Sequence, residues 1–272
     1  MGQETKKYSY VEPKKALNSR IDAHASYSNF NLHEWIKNNF SFKSGDNILD
    51  LGCGTGNYTS VFWDFVKPGG NIIGLDKNKD LIEEAKANHA DLPESHIKFW
   101  VHDYDNHFPD TGLQFDWIFS VYSLYYTEDS LKLVKAFKEQ LKRGGQFVVI
   151  GPAPENAKDL ADFNYELTGV KPNREYTERI ERIEKEFWPL FESIFGKVNV
   201  RYEAVDSVMS FPTAESYAQY YYSTLLWRES TVGRSEEEIT RLKESVIRRL
   251  SKSLPAKINK RMSCLIGEVR QK

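Results

Sequence analysis

The sequence predicts an α/β protein with a mostly parallel sheet, and three observations carry that prediction. Short, branched, apolar runs recur, one ending at Asp50 and others at 71–75, 97–101, 115–120 and 146–150, and helical patterns separate most of them. The first run passes directly into Gly52-Cys53-Gly54-Thr55-Gly56, a strand-to-helix turn of glycines that permits positive φ and leaves no Cβ between backbone and ligand. A chain of 272 residues is long enough for one large domain of this class carrying an insertion.

Two helices are expected first, at 14–27 and 32–40, the second with Leu32, Trp35, Ile36 and Phe40 on one face. The glycine turn opens a helix at 57–66, which Lys67-Pro68-Gly69-Gly70 stops before the second strand. After the fourth strand, Thr127 is the expected N-cap of a helix whose buried face is Leu131, Val134, Phe137 and Leu141 and which Gly144 ends. Further helices are expected at 157–167 and 177–194, the latter bent near Pro189, because proline cannot donate its N–H. Alternation predicts strands at 197–211 and 262–269, with two helices between them in 213–252. Ser235 followed by Glu238 is a capping-box pattern, and Ile239, Leu242, Val246 and Leu250 form the inward stripe behind it.

The strand ends carry the chemistry. Glycines at 52, 54 and 56 depart from the spacing that suits a pyrophosphate, which favours a ligand without phosphate at that turn. Asp76 ends the second strand twenty residues after Gly56, where an acid can take both hydroxyls of a ribose. His102-Asp103-Tyr104 ends the third strand, where a carboxylate can accept from an adenine amino group and a ring can stack on the base.

Taken in order, Asp50-x-Gly52-x-Gly54-x-Gly56, Gly74-Leu75-Asp76, His102-Asp103 and Lys142-x-Gly144-Gly145 resemble the motifs of the class I S-adenosylmethionine-dependent methyltransferases, across about residues 45–151. The resemblance implies a Rossmann-like, seven-stranded, mostly parallel sheet with an antiparallel last strand and helical lid insertions. Residues 1–44 would then be N-terminal cap helices, 45–151 the cofactor-binding core, and 152–272 the remaining strands with lid insertions at about 155–195 and 213–256. It implies S-adenosylmethionine as cofactor, with S-adenosylhomocysteine as product. The cofactor-binding set would be Tyr27, Asp50, Gly52, Gly54, Gly56, Asp76, Lys77, His102, Asp103, Tyr104 and Ser120. By family position, the segment after the fourth strand faces the transferred methyl and the N-terminal helices cover it. His24 and Tyr126 are therefore candidate catalytic residues, and Tyr122, Tyr125 and Tyr221 candidate pocket residues. His24 and the tyrosines would equally serve by packing alone, and so would the run Tyr217, Tyr220, Tyr221 and Tyr222.

Formal charge is −2 with both signs interspersed, so no basic field for a phosphate backbone is visible, and nucleic acid is not expected as substrate. No apolar run is long enough to span a bilayer, and the N-terminus lacks a signal peptide's apolar core. Two cysteines, Cys53 and Cys264, fit a reducing cytoplasm. Met1-Gly2 does not open a myristoylation signal, because Lys6 stands where Ser or Thr is wanted. His33, His89, His96 and His107 have no partner pattern, and no acidic cluster suggests a metal. The expected activity is a metal-independent methyl transfer to oxygen or nitrogen of a small molecule. A NAD(P)-dependent oxidoreductase and a non-catalytic S-adenosylmethionine-binding protein are the alternatives.

Overall fold

Alternating apolar strands and amphipathic helices assemble, in the computed structural model, into one seven-stranded sheet of order β3-β2-β1-β4-β5-β7-β6. Residues 14–270 are described; the myristoylation reading and the first part of the 1–44 cap lie outside them. β1 (Asn47–Leu51) is central, with β2 (Asn71–Asp76) and then β3 (Ile97–Val101) on one side. β4 (Phe115–Val121) and β5 (Leu141–Pro152) lie on the other, all parallel. The strand order reverses between β1 and β4, and in such sheets the crevice at that point receives ligands. β7 (Ala256–Glu268) pairs antiparallel with both β5 and β6 (Val200–Phe211), and it alone opposes the other strands.

Both faces of the sheet are covered because its inner strands are apolar on both sides. α2 (Leu32–Asn39), α3 (Thr59–Val66) and α4 (Lys79–Asn88) pack on one face around Ile36, Phe62, Ile82 and Phe119. α5 (Ser130–Glu139) and α8 (Trp188–Phe195) pack on the other around Phe137, Phe147, Phe191 and Phe195. A third apolar cluster lies over the extended ends of β6 and β7. It joins residues of α1 (Lys14–Tyr27), α6 (Lys158–Thr168), α9 (Ala214–Ser223), α10 (Leu225–Thr231) and α11 (Glu236–Leu250) around Met209, Phe211 and Tyr221. α7 (Arg174–Arg182) connects this cap to the sheet.

Several sequence expectations are corrected. Thr127 does not cap α5: its hydroxyl donates to Asp105, and Asp129 caps instead, accepting from Lys132 N at 2.9 Å. Leu131 is 47% exposed while Leu133 is buried, and Leu141 and Gly144 belong to β5 rather than to the helix. The break expected at Pro189 comes just earlier, as a wide π turn over Ile183–Phe187. Only the first part of 155–195 stands over the cavity, because Ile183, Phe187, Phe191 and Phe195 are buried beneath the sheet. The segment 213–252 holds three helices, since Thr224 ends α9 and caps α10 through Trp227 N. β7 starts at Ala256, six residues before the expected Met262. The capping box is present: Ser235 N donates to Glu238 Oε2 at 2.8 Å and Glu238 N to Ser235 Oγ at 3.2 Å. Among the described residues no helix is long and apolar enough to cross a membrane.

Candidate functional site

A cavity of about 1060 Å³ opens over the carboxyl ends of β1, β2 and β4 and runs under α1, α7, α9 and α10. Pockets for a single small ligand usually measure ~300–1,000 Å³, so two small molecules can share this one.

The glycine turn forms its inner wall. Gly52 N and Cys53 N both donate to Leu75 O, at 2.7 and 2.9 Å, tying the turn to β2. Gly54 N donates to Asp76 Oδ2 at 3.1 Å, and Asn78 N to Asp76 Oδ1 at 2.8 Å, so this carboxylate joins the turn to the start of α4. The three glycines differ in what they permit. A Cβ at Gly52 would lie 1.8 Å from Ser123 Oγ, and one at Gly56 2.7 Å from His89 Cε1, so both serve close packing. At Gly54, with φ +56°, a Cβ would meet nothing within 4 Å. Gly54 therefore borders space that a ligand can use.

Asp50 borders the same end. Its side chain is 1% exposed, and Oδ2 has no hydrogen-bond partner. Burial, helped by the Asp76 charge, raises its pKa to about 7. Burial likewise raises Asp76, against the lowering effect of its two backbone donors. Two carboxylates destabilised in this way favour a cationic ligand, which would restore the ionised form. The same shift predicts a pH dependence. A native pKa above the unfolded 3.8 means that the folded state binds more protons, so this contribution to stability falls as pH rises from about 4 to about 7. Asp50→Asn should remove that slope and, without ligand, be more stable than wild type at pH 8, by an amount on the order of a few kcal/mol. Parallel melting curves for the two proteins across pH 4–8 would contradict it.

Asp103 and Tyr104 reach the cavity from the end of β3. The Tyr104 hydroxyl donates to Ser123 O at 3.1 Å, fixing its ring against the loop after β4. In that loop Tyr122 has φ +55°, a left-handed conformation that non-glycine residues rarely hold away from functional sites. Its side chain is 42% exposed, and that surface faces the cavity. Tyr125 and Tyr126 follow, their ring centroids 4.7 Å apart. Two arginines of α7 hold this loop. Arg182, 5% exposed, donates from Nη1 to Tyr125 O at 3.0 Å and Thr127 O at 2.7 Å, and its other nitrogens grip both oxygens of Glu186. The Arg179 guanidinium lies 5.2 Å from the centre of the Tyr126 ring and pairs with Glu175 at 2.9 Å.

His24 lines the outer part of the cavity, edge-on to Tyr220 with centroids 6.0 Å apart. Burial first, then the charges of Lys260 and Arg20, lower its pKa to about 3. Burial and the two neighbouring cations thus hold the His24 imidazole neutral.

The cavity thus brings together His24, Asp50, Gly52, Gly54, Asp76, Lys77, Asp103, Tyr104, Tyr122, Tyr125 and Tyr126. It does not bring in the other expected residues. Tyr27 packs tilted against Phe211 with ring centroids 4.9 Å apart, and Ser120 Oγ is fully buried, accepting from Leu124 N. Gly56 faces His89, and His102 packs edge-on to Phe108. Tyr221 is buried with its hydroxyl donating to Asn164 Oδ1 at 2.6 Å, and its neighbour Tyr220 lines the cavity in its place. The sequence reading missed Arg20, Tyr176, Arg179, Tyr220 and Lys260, which come from four separate elements. Tyr220 lies one residue from the expected Tyr221, and both side chains are almost fully buried.

A family described as a methyltransferase domain matches residues 42–188. Demethylmenaquinone methyltransferase of Lactococcus lactis is 31% identical over 139 residues, which are 50% of this chain and 55% of that protein. A tRNA U34 carboxymethyltransferase of Pseudomonas paraeruginosa is 35% identical over 109 residues, 39% of this chain and 32% of that protein. The chain thus spans about half or less of these two relatives. A solved S-adenosylmethionine-dependent methyltransferase of Thiobacillus denitrificans, in complex with S-adenosylhomocysteine, shares the fold with a TM-score of 0.51 and 16% identity, over 95% of this chain and all of that one.

Proposed function

The chain belongs to the methyltransferase-domain family, and from that premise we propose that it transfers a methyl group from S-adenosylmethionine to an oxygen or nitrogen of a small molecule, without a metal. The oxidoreductase alternative gives way to the family match. The observation that carries the reading is the acidic inner end of the cavity, where the buried Asp50 and the half-buried Asp76 flank the open space at Gly54.

These residues fit the cofactor. Asp76 can accept from ribose hydroxyls, Asp103 from an adenine amino group, and Asp50 offers negative charge to the cationic amino acid end. When bound, the cofactor supplies a methyl group already activated on a sulfonium, so no Lewis acid is required. What remains for the protein is to hold the acceptor in line and exclude water. Tyr122, Tyr125 and Tyr126 wall that region, and Arg182 fixes the backbone at Tyr125 and Thr127. A concave site of mixed charge suits a small acceptor better than a tRNA, despite the tRNA-directed relative. The two free, buried cysteines suit a cytoplasmic location.

Incubation with methyl-labelled S-adenosylmethionine and a panel of carboxylic acids, phenols and amines tests the reading, with labelled product from at least one class expected. No transfer to any class, in protein that binds the cofactor, would leave a binding protein instead. Asp76→Ala should weaken S-adenosylhomocysteine binding about 10- to 100-fold, because two ribose hydroxyls lose their acceptor. Unchanged affinity by calorimetry in folded protein would reject that assignment.

A further inference from the structure

Three tyrosines bring their rings to the outer part of the cavity, Tyr122 and Tyr125 from the loop after β4 and Tyr176 from α7. The hydroxyls of Tyr104 and Tyr221 are used within the protein, donating to Ser123 O and to Asn164 Oδ1. Those of Tyr122, Tyr125 and Tyr176 have no hydrogen-bond partner among the described residues. Burial first, then the neighbouring Tyr220 hydroxyl, raises the Tyr176 pKa to about 12 and carries Tyr122 above the usual tyrosine value. Burial, then Tyr126 and Tyr122, does the same for Tyr125. The three hydroxyls therefore keep their protons and share neighbours, so they form one group of neutral donors.

The charged groups beside them are already engaged. Arg179 pairs with Glu175 at 2.9 Å, and Glu229 accepts from Asn173 Nδ2 at 3.0 Å. Lys260 Nζ lies 3.4 Å from the Tyr220 hydroxyl, Arg20 donates to Ser223 O at 3.3 Å, and Arg228 is likewise engaged within the protein. No ion of either sign is called for, and taking one out of water without a partner is costly. What lacks a counterpart is the group of O–H donors, set among Ile180, Leu225 and Leu226, and it suits an uncharged oxygen on an apolar body. A hydroxyl oxygen has two lone pairs to offer such donors, whereas the nitrogen of an arylamine has one, drawn into its ring. The body is best aromatic, because Tyr122 opens 42% of its surface towards the cavity and the Tyr125 and Tyr126 rings, 4.7 Å apart, continue the wall.

We propose that the methyl acceptor is an uncharged aromatic hydroxyl compound, a phenol or naphthol, held among Tyr122, Tyr125 and Tyr176. Its role as acceptor rests on the methyltransferase reading, whereas its binding can be measured separately. Methylation exchanges its O–H bond for an O–CH3 bond: the methyl comes from the sulfonium, which becomes a neutral thioether, and the proton leaves to water.

Equilibrium dialysis with naphthol, propylphenol and hydroxybiphenyl tests it, against naphthoate, naphthylmethylammonium and naphthalene, both with and without saturating S-adenosylhomocysteine. At least one of the hydroxyl compounds is expected to bind about tenfold or more tighter than either ion and than naphthalene. Tyr125→Phe and Tyr176→Phe each remove one O–H and keep the ring. Each should weaken that compound about 3- to 10-fold, while naphthalene and S-adenosylhomocysteine stay within about twofold of wild type. Equal weakening of naphthalene and the hydroxyl compound in both variants would mean that the tyrosines only shape the wall, and would overturn the proposal. Either ion or naphthalene binding as tightly as the hydroxyl compounds, or no ligand of the panel binding at all, would also overturn it. Hydroxyl selectivity in a protein that ignores S-adenosylhomocysteine would uphold the tyrosine site and sink the methyltransferase reading. The reverse pattern would do the opposite.

Discussion

Gly54→Val should abolish measurable S-adenosylmethionine binding while leaving the protein folded. The backbone at Gly54 has φ +56°, where a β-branched residue is strained, so the turn would shift or the new side chain would stand in the cavity. Nothing within 4 Å opposes that side chain in the protein itself, so the injury falls on the ligand and not on the core. Its N–H also donates to Asp76, so a shifted turn would displace the carboxylate that is to receive the ribose. A loss of at least about 100-fold in affinity, ~2.7 kcal/mol, is expected by calorimetry. Contrast comes from Gly52→Val, where the new Cβ would collide with Ser123 and should damage stability as well. Normal binding by Gly54→Val would reduce the glycine sequence to a structural turn.

Arg182→Ala should be the most destabilising single change on the outer side of the site. The guanidinium is 5% exposed and satisfies two backbone carbonyls, Tyr125 O and Thr127 O, as well as the Glu186 carboxylate. Its removal leaves two buried acceptors and one half-buried charge without their donor, a class of change that costs about 3–5 kcal/mol. At roughly 2–4 °C per kcal/mol for a protein of this size, the melting temperature should fall by about 10 °C. The loop carrying Tyr122, Tyr125 and Tyr126 should exchange its amide protons faster in the variant. Arg182→Lys should recover only part of the loss, since one ammonium cannot serve the carbonyls and both carboxylate oxygens together. A melting temperature within about 2 °C of wild type would show that the loop holds its shape unaided.

The inner half of the site was legible in the sequence because it is local. One strand, one turn and the next strand end place Asp50, Gly54 and Asp76 together, and their order along the chain is their order in space. The outer half was not legible, because Arg20, Arg179, Tyr220 and Lys260 meet only after α1, α7, α9 and β7 have packed. α9 shows the difficulty most plainly. Both Tyr220 and Tyr221 are almost fully buried, so aromatic spacing could not say which would face the cavity and which would reach Asn164. Thr127 was misread for a related reason. Its hydroxyl is a good cap by residue type, but Asp105, from a loop more than twenty residues earlier, claims it. Ser120 and His102 sit at strand ends that do border ligands in such folds, yet their side chains turn inward, to Leu124 N and to Phe108. The early half of β7 was lost because Lys257, Asn259, Lys260 and Arg261 mask the alternation that buried Ala256, Ile258 and Met262 preserve.

The acidic inner end stands or falls as an adenosylmethionine site on one titration. Titration of S-adenosylhomocysteine into the purified protein, followed by the same titration in excess NAD, tests it most directly. One molecule is expected to bind per chain, unaffected by NAD and lost in Gly54→Val; no binding, or competition by NAD for the same site, would show that the inner end is not an adenosylmethionine site.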